Sequence, residues 1–202
     1  MDRDGWNERY RGSGLVWSAE PNRFLVEQVV GLAPGRALDL AAGEGRNAVW
    51  LAEQGWTTTA VDFSDVAIGK AAEMAVARGV TIATAVADVT GDLAGIVDPG
   101  SFDLVVVAYL QLRAEDRARA MANAVAALAP GGTLLEIAHD AANLSGGFGG
   151  PQDPFVLATP AEVVALLDEL VVESAETVER PVETAEGPRI AIDHMVRARR
   201  PV

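Results

Sequence analysis

The sequence predicts an α/β fold: a doubly wound, mostly parallel seven-stranded sheet with helices on both faces and an antiparallel hairpin at its C-terminal end. Three observations predict it. Strand-like and helix-like segments alternate along the 202 residues, which a parallel sheet covered on both faces accommodates most simply. The last two strand-like segments have no helix between them and must therefore pair antiparallel. The first strand runs into a glycine turn that opens a helix, the usual point of ligand entry in open α/β sheets.

In chain order, Asn22 to Leu32 places Phe24, Leu25, Gln28, Val29 and Leu32 on one helical face, and Pro34-Gly35 stops it. Arg36 to Ala41 reads as a short buried strand. Asn47 to Gln54 is helical and ends at Gly55, Trp56 to Asp62 is a β-branched second strand, and Asp65 to Arg78 is a helix closed by Gly79. Thr81 to Ala87 is the third strand. Phe102 to Ala108 is apolar on both faces after Asp103, as a central parallel strand should be. Glu115 to Leu128 is a helix stopped by Pro130-Gly131-Gly132, and Thr133 to Ala138 is the fifth strand. A Gly- and Pro-rich loop follows, and Thr159-Pro160-Ala161-Glu162 is a capping box opening a helix to about Leu170. Val171 to Arg180 and Ile190 to Arg199 alternate as the two strands of the closing hairpin.

The length fits a single domain, 1–202. No apolar run approaches the roughly 18 residues of a membrane helix, and the mixed-charge start MDRDGWNERYRG is not a secretory signal. A cytoplasmic protein with no membrane partner is the expectation, as monomer or weak homodimer. A net charge of −13 repels a phosphate backbone, so nucleic acid is an unfavourable partner. The basic cluster Arg197-Ala198-Arg199-Arg200 reads as a solvated strand end. With no cysteine there is neither a disulfide nor a thiolate site. Two distant histidines make a poor metal site, and no metal is expected.

The informative stretch is LDLAAGEGRN, residues 38–47. Gly43 and Gly45 let the backbone approach a ligand, and the helix behind them offers free N–H groups. Asp39 puts a carboxylate inside a strand, which is costly without a partner or a nearby cation. Asp62 ends the second strand, where a carboxylate can accept both hydrogens of a ribose diol. The run Gly43 to Ala48 also matches the dinucleotide pattern G-x-G-x-x-A, which admits a nicotinamide-dependent oxidoreductase. Asp39 would repel its pyrophosphate, and a ligand with positive charge fits better.

LDLAAGEGRN, VDFS at 61–64, ADV at 87–89, FDLVVV at 102–107 and LAPGG at 128–132 resemble, in order, the motifs of the class I S-adenosylmethionine-dependent methyltransferases. WNERY at 6–10 with Trp17 and Pro21-Asn22, GEGRNAVWLAEQGW, and TPAEV at 159–163 resemble their tellurite-resistance and thiopurine-type small-molecule branch. The resemblance implies a Rossmann-like fold and S-adenosylmethionine as cofactor, with S-adenosylhomocysteine as product. It implies that Asp39 lies near the sulfonium and ammonium end and that Ala41, Ala42, Gly43, Gly45 and Asn47 line the turn. Asp62 would hold the ribose with Phe63 and Ser64 beside it, Phe63 packing on the adenine. Ala87, Asp88 and Val89 would meet the adenine edge, Ala108 and Tyr109 the methionine part. Tyr10 and Trp17, with Trp6, would close over the cofactor from the segment 1–21. Where many members carry Gly and Cys this chain has Ala41-Ala42, and Ala41 disfavours a left-handed turn.

Methyl transfer from a sulfonium is an in-line displacement in which positioning does much of the work. A thiolate or chalcogen oxyanion needs no base, whereas a hydroxyl or protonated amine does. His139, at the end of the fifth strand, is the candidate base; Asp140 beside it leads into a loop, 140–158, able to cover a small-molecule acceptor. His194 reads as core. A non-enzymatic S-adenosylmethionine-binding module is the remaining alternative.

Overall fold

The computed structural model describes residues 2–12 and 14–202; residues 1 and 13 of the N-terminal segment lie outside it. One seven-stranded sheet has the order β3-β2-β1-β4-β5-β7-β6, with β1 Arg36–Leu40, β2 Thr57–Asp62, β3 Ala83–Val86, β4 Phe102–Ala108, β5 Leu128–His139, β6 Val171–Val182 and β7 Arg189–Arg199. The first five pair in parallel. β7 inserts antiparallel between β5 and β6, as the missing connecting helix requires. The strand order reverses between β1 and β4, so their carboxyl ends form the crevice of an open sheet.

The helices are α1 Arg3–Tyr10, α2 Arg23–Val29, α3 Arg46–Glu53, α4 Asp65–Ala77, α5 Ala114–Ala127, the single turn α6 Asn143–Gly146 and α7 Pro160–Val164. On one face of the sheet, Leu38, Leu40, Val105, Val107 and Leu134 pack with Met121 and Ala124 of α5 and with Val163 and Leu167. On the other, Val106, Leu135, Ile137 and Met195 pack with Phe24 and Leu25 of α2 and Leu51 of α3. The central strands are thus apolar on both sides, each fully buried leucine contributing about 2 kcal/mol.

Several elements differ from the sequence reading; α2 ends at Val29 and β3 spans only Ala83–Val86. The helix opened by the Thr159–Glu162 capping box ends at Val164, and tight bonds from Leu167 N–H to Val164 C=O and from Leu170 N–H to Leu167 C=O deliver Leu167 and Leu170 to the core. β5 begins at Leu128, so the helix-stopping Pro130-Gly131-Gly132 lies within an irregular strand start. The N-terminal segment contains α1, capped by Asp2, whose carboxylate accepts the Gly5 N–H. No described helix is long and apolar enough to cross a membrane.

Candidate active site

Two strained residues mark the crevice. Ala41, just beyond β1, has φ 59°, and Tyr109, just beyond β4, has φ 57°. They are the only non-glycine residues with positive φ among those described, and each left-handed conformation costs about 1–2 kcal/mol. Such strain persists where the surroundings enforce it, most often at functional sites. Here Ala42 N–H bonds Val61 C=O at 3.0 Å and Tyr109 N–H bonds Ile137 C=O at 2.6 Å, tying each turn to the neighbouring strand.

The carboxylates lie beneath these turns. Asp39 is 1% exposed; its Oδ2 accepts the Ala48 N–H of α3 at 3.1 Å, and its Oδ1 has no partner. Burial pushes this carboxyl up to about 7. A pyrophosphate at the start of α3 would compete with Asp39 for the Ala48 donor, which weakens the dinucleotide reading. Asp62 accepts Gly43 N–H at 2.8 Å through Oδ2 and Ser64 N–H at 2.9 Å through Oδ1. Burial raises its pKa against these donors. Each oxygen retains a second lone pair for a hydroxyl donor. Asp88, beyond β3, is exposed, and Thr90 fastens its Oδ1 through N–H and hydroxyl at 2.9 and 2.8 Å.

The N-terminal segment covers the turn. A Cβ at Gly43 would come within 3.2 Å of the Tyr10 hydroxyl, and Trp6 stacks on Tyr10 with centroids 5.4 Å apart. Trp17 leans on Trp6 at 6.4 Å and stays 43% exposed. Glu44, which no sequence motif singles out, is the lock. Its carboxylate accepts Val16 N–H at 2.8 Å and Trp17 N–H at 3.2 Å and pairs with Lys70 at 3.1 Å. Lys70 also donates to the carbonyls of Gly12 and Gly14.

Some expected ligand contacts have other employment. Ser64 is fully buried; its hydroxyl donates to Asn7 Oδ1 and accepts Ala67 N–H, capping α4 and tethering α1. Asn47 Oδ1 accepts Asn22 N–H, joining α2 to α3. Gly45, at φ 81°, would bring a Cβ within 2.5 Å of the Ala71 Cβ, so its smallness serves the α3–α4 contact. Asp39, Ala41, Ala42, Gly43, Asp62, Phe63, Ala108 and Tyr109 do come together along one edge, since they all follow from the ends of β1, β2 and β4. Ala87 is tied to that edge by its N–H to Asp62 C=O at 3.0 Å, with Asp88 and Val89 following. Arg46, the first residue of α3, adds a half-buried guanidinium whose pKa burial lowers, near Tyr109 and Asp39.

A second polar cluster lies beside Tyr109. Asp193 of β7 is fully buried; its Oδ2 accepts from the Tyr109 hydroxyl at 2.6 Å and from Arg180 Nε at 2.6 Å, and its Oδ1 lies 2.9 Å from His139 Nδ1. Burial alone would raise its pKa, but His139, Arg180 and Tyr109 hold it below the ordinary value. The loop after His139 is pinned by Asn143, whose amide accepts Ile192 N–H at 2.7 Å and donates to Gly149 C=O at 2.9 Å. His194, on the other face, is sealed against Glu136 at 3.0 Å, with Asp140 3.8 Å away. Among the described residues no group of three or more His, Asp or Glu side chains could hold a metal ion. Neither Asp193 nor Asn143 carried a local motif; the β5–β7 pairing brings Asp193 to the site, and the Asn143 bond to Ile192 ties the loop to β7.

Residues 37–132 match the family model described as a methyltransferase domain. A demethylmenaquinone methyltransferase from Thermus thermophilus is 33% identical over 126 residues, 61% of this chain and 54% of that protein, so the chain spans about half the length of that curated relative. Among solved structures, one from work on conversion of a disulfide bond into a thioacetal group during echinomycin biosynthesis has a TM-score of 0.77 at 22% identity, covering 98% of this chain and 92% of the other. The N-methyltransferase NodS from Bradyrhizobium japonicum, solved with S-adenosylhomocysteine, has a TM-score of 0.71 at 21% identity, covering 99% and 98%. At these identities the likeness establishes the fold, which is the Rossmann-like fold of that N-methyltransferase.

Proposed function

We propose that the chain is a cytoplasmic, S-adenosylmethionine-dependent methyltransferase that methylates a small-molecule acceptor, acting as one domain and as a monomer or weak homodimer. The observation that carries this reading is Asp62, a buried carboxylate tied to the Gly43 turn and still able to accept two hydroxyl donors. In this reading Asp62 holds the ribose diol, Phe63 lies on the adenine, and Asp88 with Val89 meets its polar edge. The backbone from Ala41 to Gly43, with Ala108 and Tyr109, receives the methionine part. Arg46, which has no hydrogen-bond or ion-pair partner among the described residues, meets the carboxylate. Asp39 keeps the turn in place from below and lowers the potential under the cationic end. When bound, S-adenosylmethionine supplies a methyl carbon already activated by its sulfonium leaving group. The chain's part is to orient the acceptor in line and exclude water, a role for the aromatic N-terminal segment and the loop 140–158.

The resemblance to the tellurite-resistance and thiopurine-type branch places tellurite, selenite and small thiols in the acceptor panel, beside phenols and amines. The test is formation of S-adenosylhomocysteine from S-adenosylmethionine across that panel. Acceptor-dependent product supports the reading. Cofactor binding without turnover on any acceptor would reduce the protein to a binding module, and binding of NADH instead would restore the oxidoreductase.

A further inference from the structure

We propose that Asp193 is a positioning residue that holds His139 with its proton on Nδ1, leaving Nε2 to take the proton of an acceptor whose nucleophilic oxygen or nitrogen is protonated in water. The proposal rests on the methyltransferase reading above.

The ladder supplies the placement: His139 and Asp193 are directly opposed in the antiparallel β5–β7 pair, where facing side chains meet. His139 Nδ1 and Asp193 Oδ1 lie 2.9 Å apart, and neither buried atom makes an aligned hydrogen bond among the described residues. A carboxylate only accepts, so a slight turn of the ring with the proton on Nδ1 would satisfy both atoms at once. The other oxygen of Asp193 is saturated by Tyr109 and Arg180, which keeps the carboxylate from turning away. The imidazole cannot swing freely either. Gly150, at φ 74°, packs its backbone so closely that a Cβ there would be 2.9 Å from His139 Cδ2.

Nε2 is left without a partner and is not among the buried unsatisfied atoms. The ring lies 5.1 Å from that of Tyr109, at the carboxyl end of the neighbouring strand. His194 shows the contrast: it is 1% exposed, with its two nitrogens 3.0 and 3.8 Å from Glu136 and Asp140. A histidine kept only for packing can be sealed in that way; His139 keeps one nitrogen open.

In the step, the acceptor's lone pair forms the bond to the methyl carbon while the carbon–sulfur pair remains on sulfur. The acceptor's proton passes to His139 Nε2, and Asp193 stabilises the imidazolium until it loses that proton to solvent. A chalcogen oxyanion or thiolate would leave His139 idle. The acceptor class is therefore an alcohol, phenol or nitrogen acid.

The protein contains two histidines, so long-range proton–nitrogen NMR reads His139 without crowding. The wild-type protein should show His139 protonated on Nδ1 and bare at Nε2. In Asp193→Asn, the side-chain oxygen stays with Tyr109 and Arg180 and its NH₂ faces Nδ1, which moves the imidazole proton to Nε2. Carbethoxylation of His139 by diethyl pyrocarbonate should then slow by roughly tenfold or more, and in the wild type it should slow when S-adenosylhomocysteine is added. A wild-type His139 protonated on Nε2, or carbethoxylation indifferent to bound S-adenosylhomocysteine, would overturn the proposal even if Asp193→Asn did not fold. So would a folded Asp193→Asn with unchanged tautomer. Calorimetric titration run in parallel separates these results from failure of the methyltransferase reading, in which S-adenosylhomocysteine would not bind at all.

Discussion

The ammonium of Lys70 lies 3.1 Å from the carboxylate of Glu44, and through this pair the N-terminal segment is fastened across the glycine turn. Glu44 is 3% exposed and Lys70 18% by side chain. Removing one partner of a buried pair leaves the other uncompensated. Lys70→Met should therefore cost about 3 kcal/mol and release the segment. Limited trypsin digestion should cut faster after Arg9 and Arg11; unchanged cleavage would show that the aromatic contacts alone hold it.

Ala41 is strained at φ 59°, and glycine takes that conformation without a Cβ clash. Ala41→Gly should raise stability by about 0.5–1 kcal/mol after the entropy cost of glycine, read as a higher denaturation midpoint. A lower midpoint would mean that the methyl group's contacts with the neighbouring core outweigh the strain.

Among the buried groups whose folded pKa is raised, Asp39 and His194 each give stability a downward slope with pH. Asp39 rises from 3.8 to about 7 on folding, through burial, so the folded state binds the extra proton and its contribution is complete below about 4 and lost as pH rises towards 7. The slope from this group is about 1.4 kcal/mol per pH unit within that window. For His194, burial disfavours the charge, but Glu136 and Asp140 hold its pKa above 6.5. Its contribution is complete below 6.5 and lost as pH rises through the folded value. Urea titrations should show Asp39→Asn flattening the acid part of the profile and His194→Gln the part above 6.5. Parallel profiles for variants and wild type would contradict both assignments.

Asn143 is 2% exposed and bonds both Ile192 and Gly149. Asn143→Ala orphans the part-buried Ile192 N–H and the Gly149 carbonyl, at about 1 kcal/mol or a little more. Amide exchange at Ile192 and through residues 146–150 should accelerate by one to two orders of magnitude, while that of β1 and β4 stays unchanged.

The fold was legible because its signals are local: apolar runs such as FDLVVV, stop signals such as Pro34-Gly35, and two final strands without a helix between them. Helix α1 was not, since only Asn7 and Tyr10 of it are buried and no apolar stripe marks it. The glycine turn and Asp62 were visible for the same reason as the strands that end there. Nothing local marked Glu44, because its partner lies 26 residues on, and Asp193 looked like one alternating strand residue because its neighbours come from just beyond β4, from β5 and from β6. Ser64 and Asn47 sit in the expected stretches, yet their polar atoms serve helix capping and the joining of helices.

The central claim is that the Asp62 carboxylate holds a nucleoside diol at the end of β2, and calorimetric titration of S-adenosylhomocysteine into wild type, Asp62→Asn and Asp88→Ala tests it most directly. Binding to the wild type, weakened about tenfold or more in Asp62→Asn and less in the exposed Asp88→Ala, is the predicted result. Equal affinity in wild type and folded Asp62→Asn, or no binding to any of them, would contradict it.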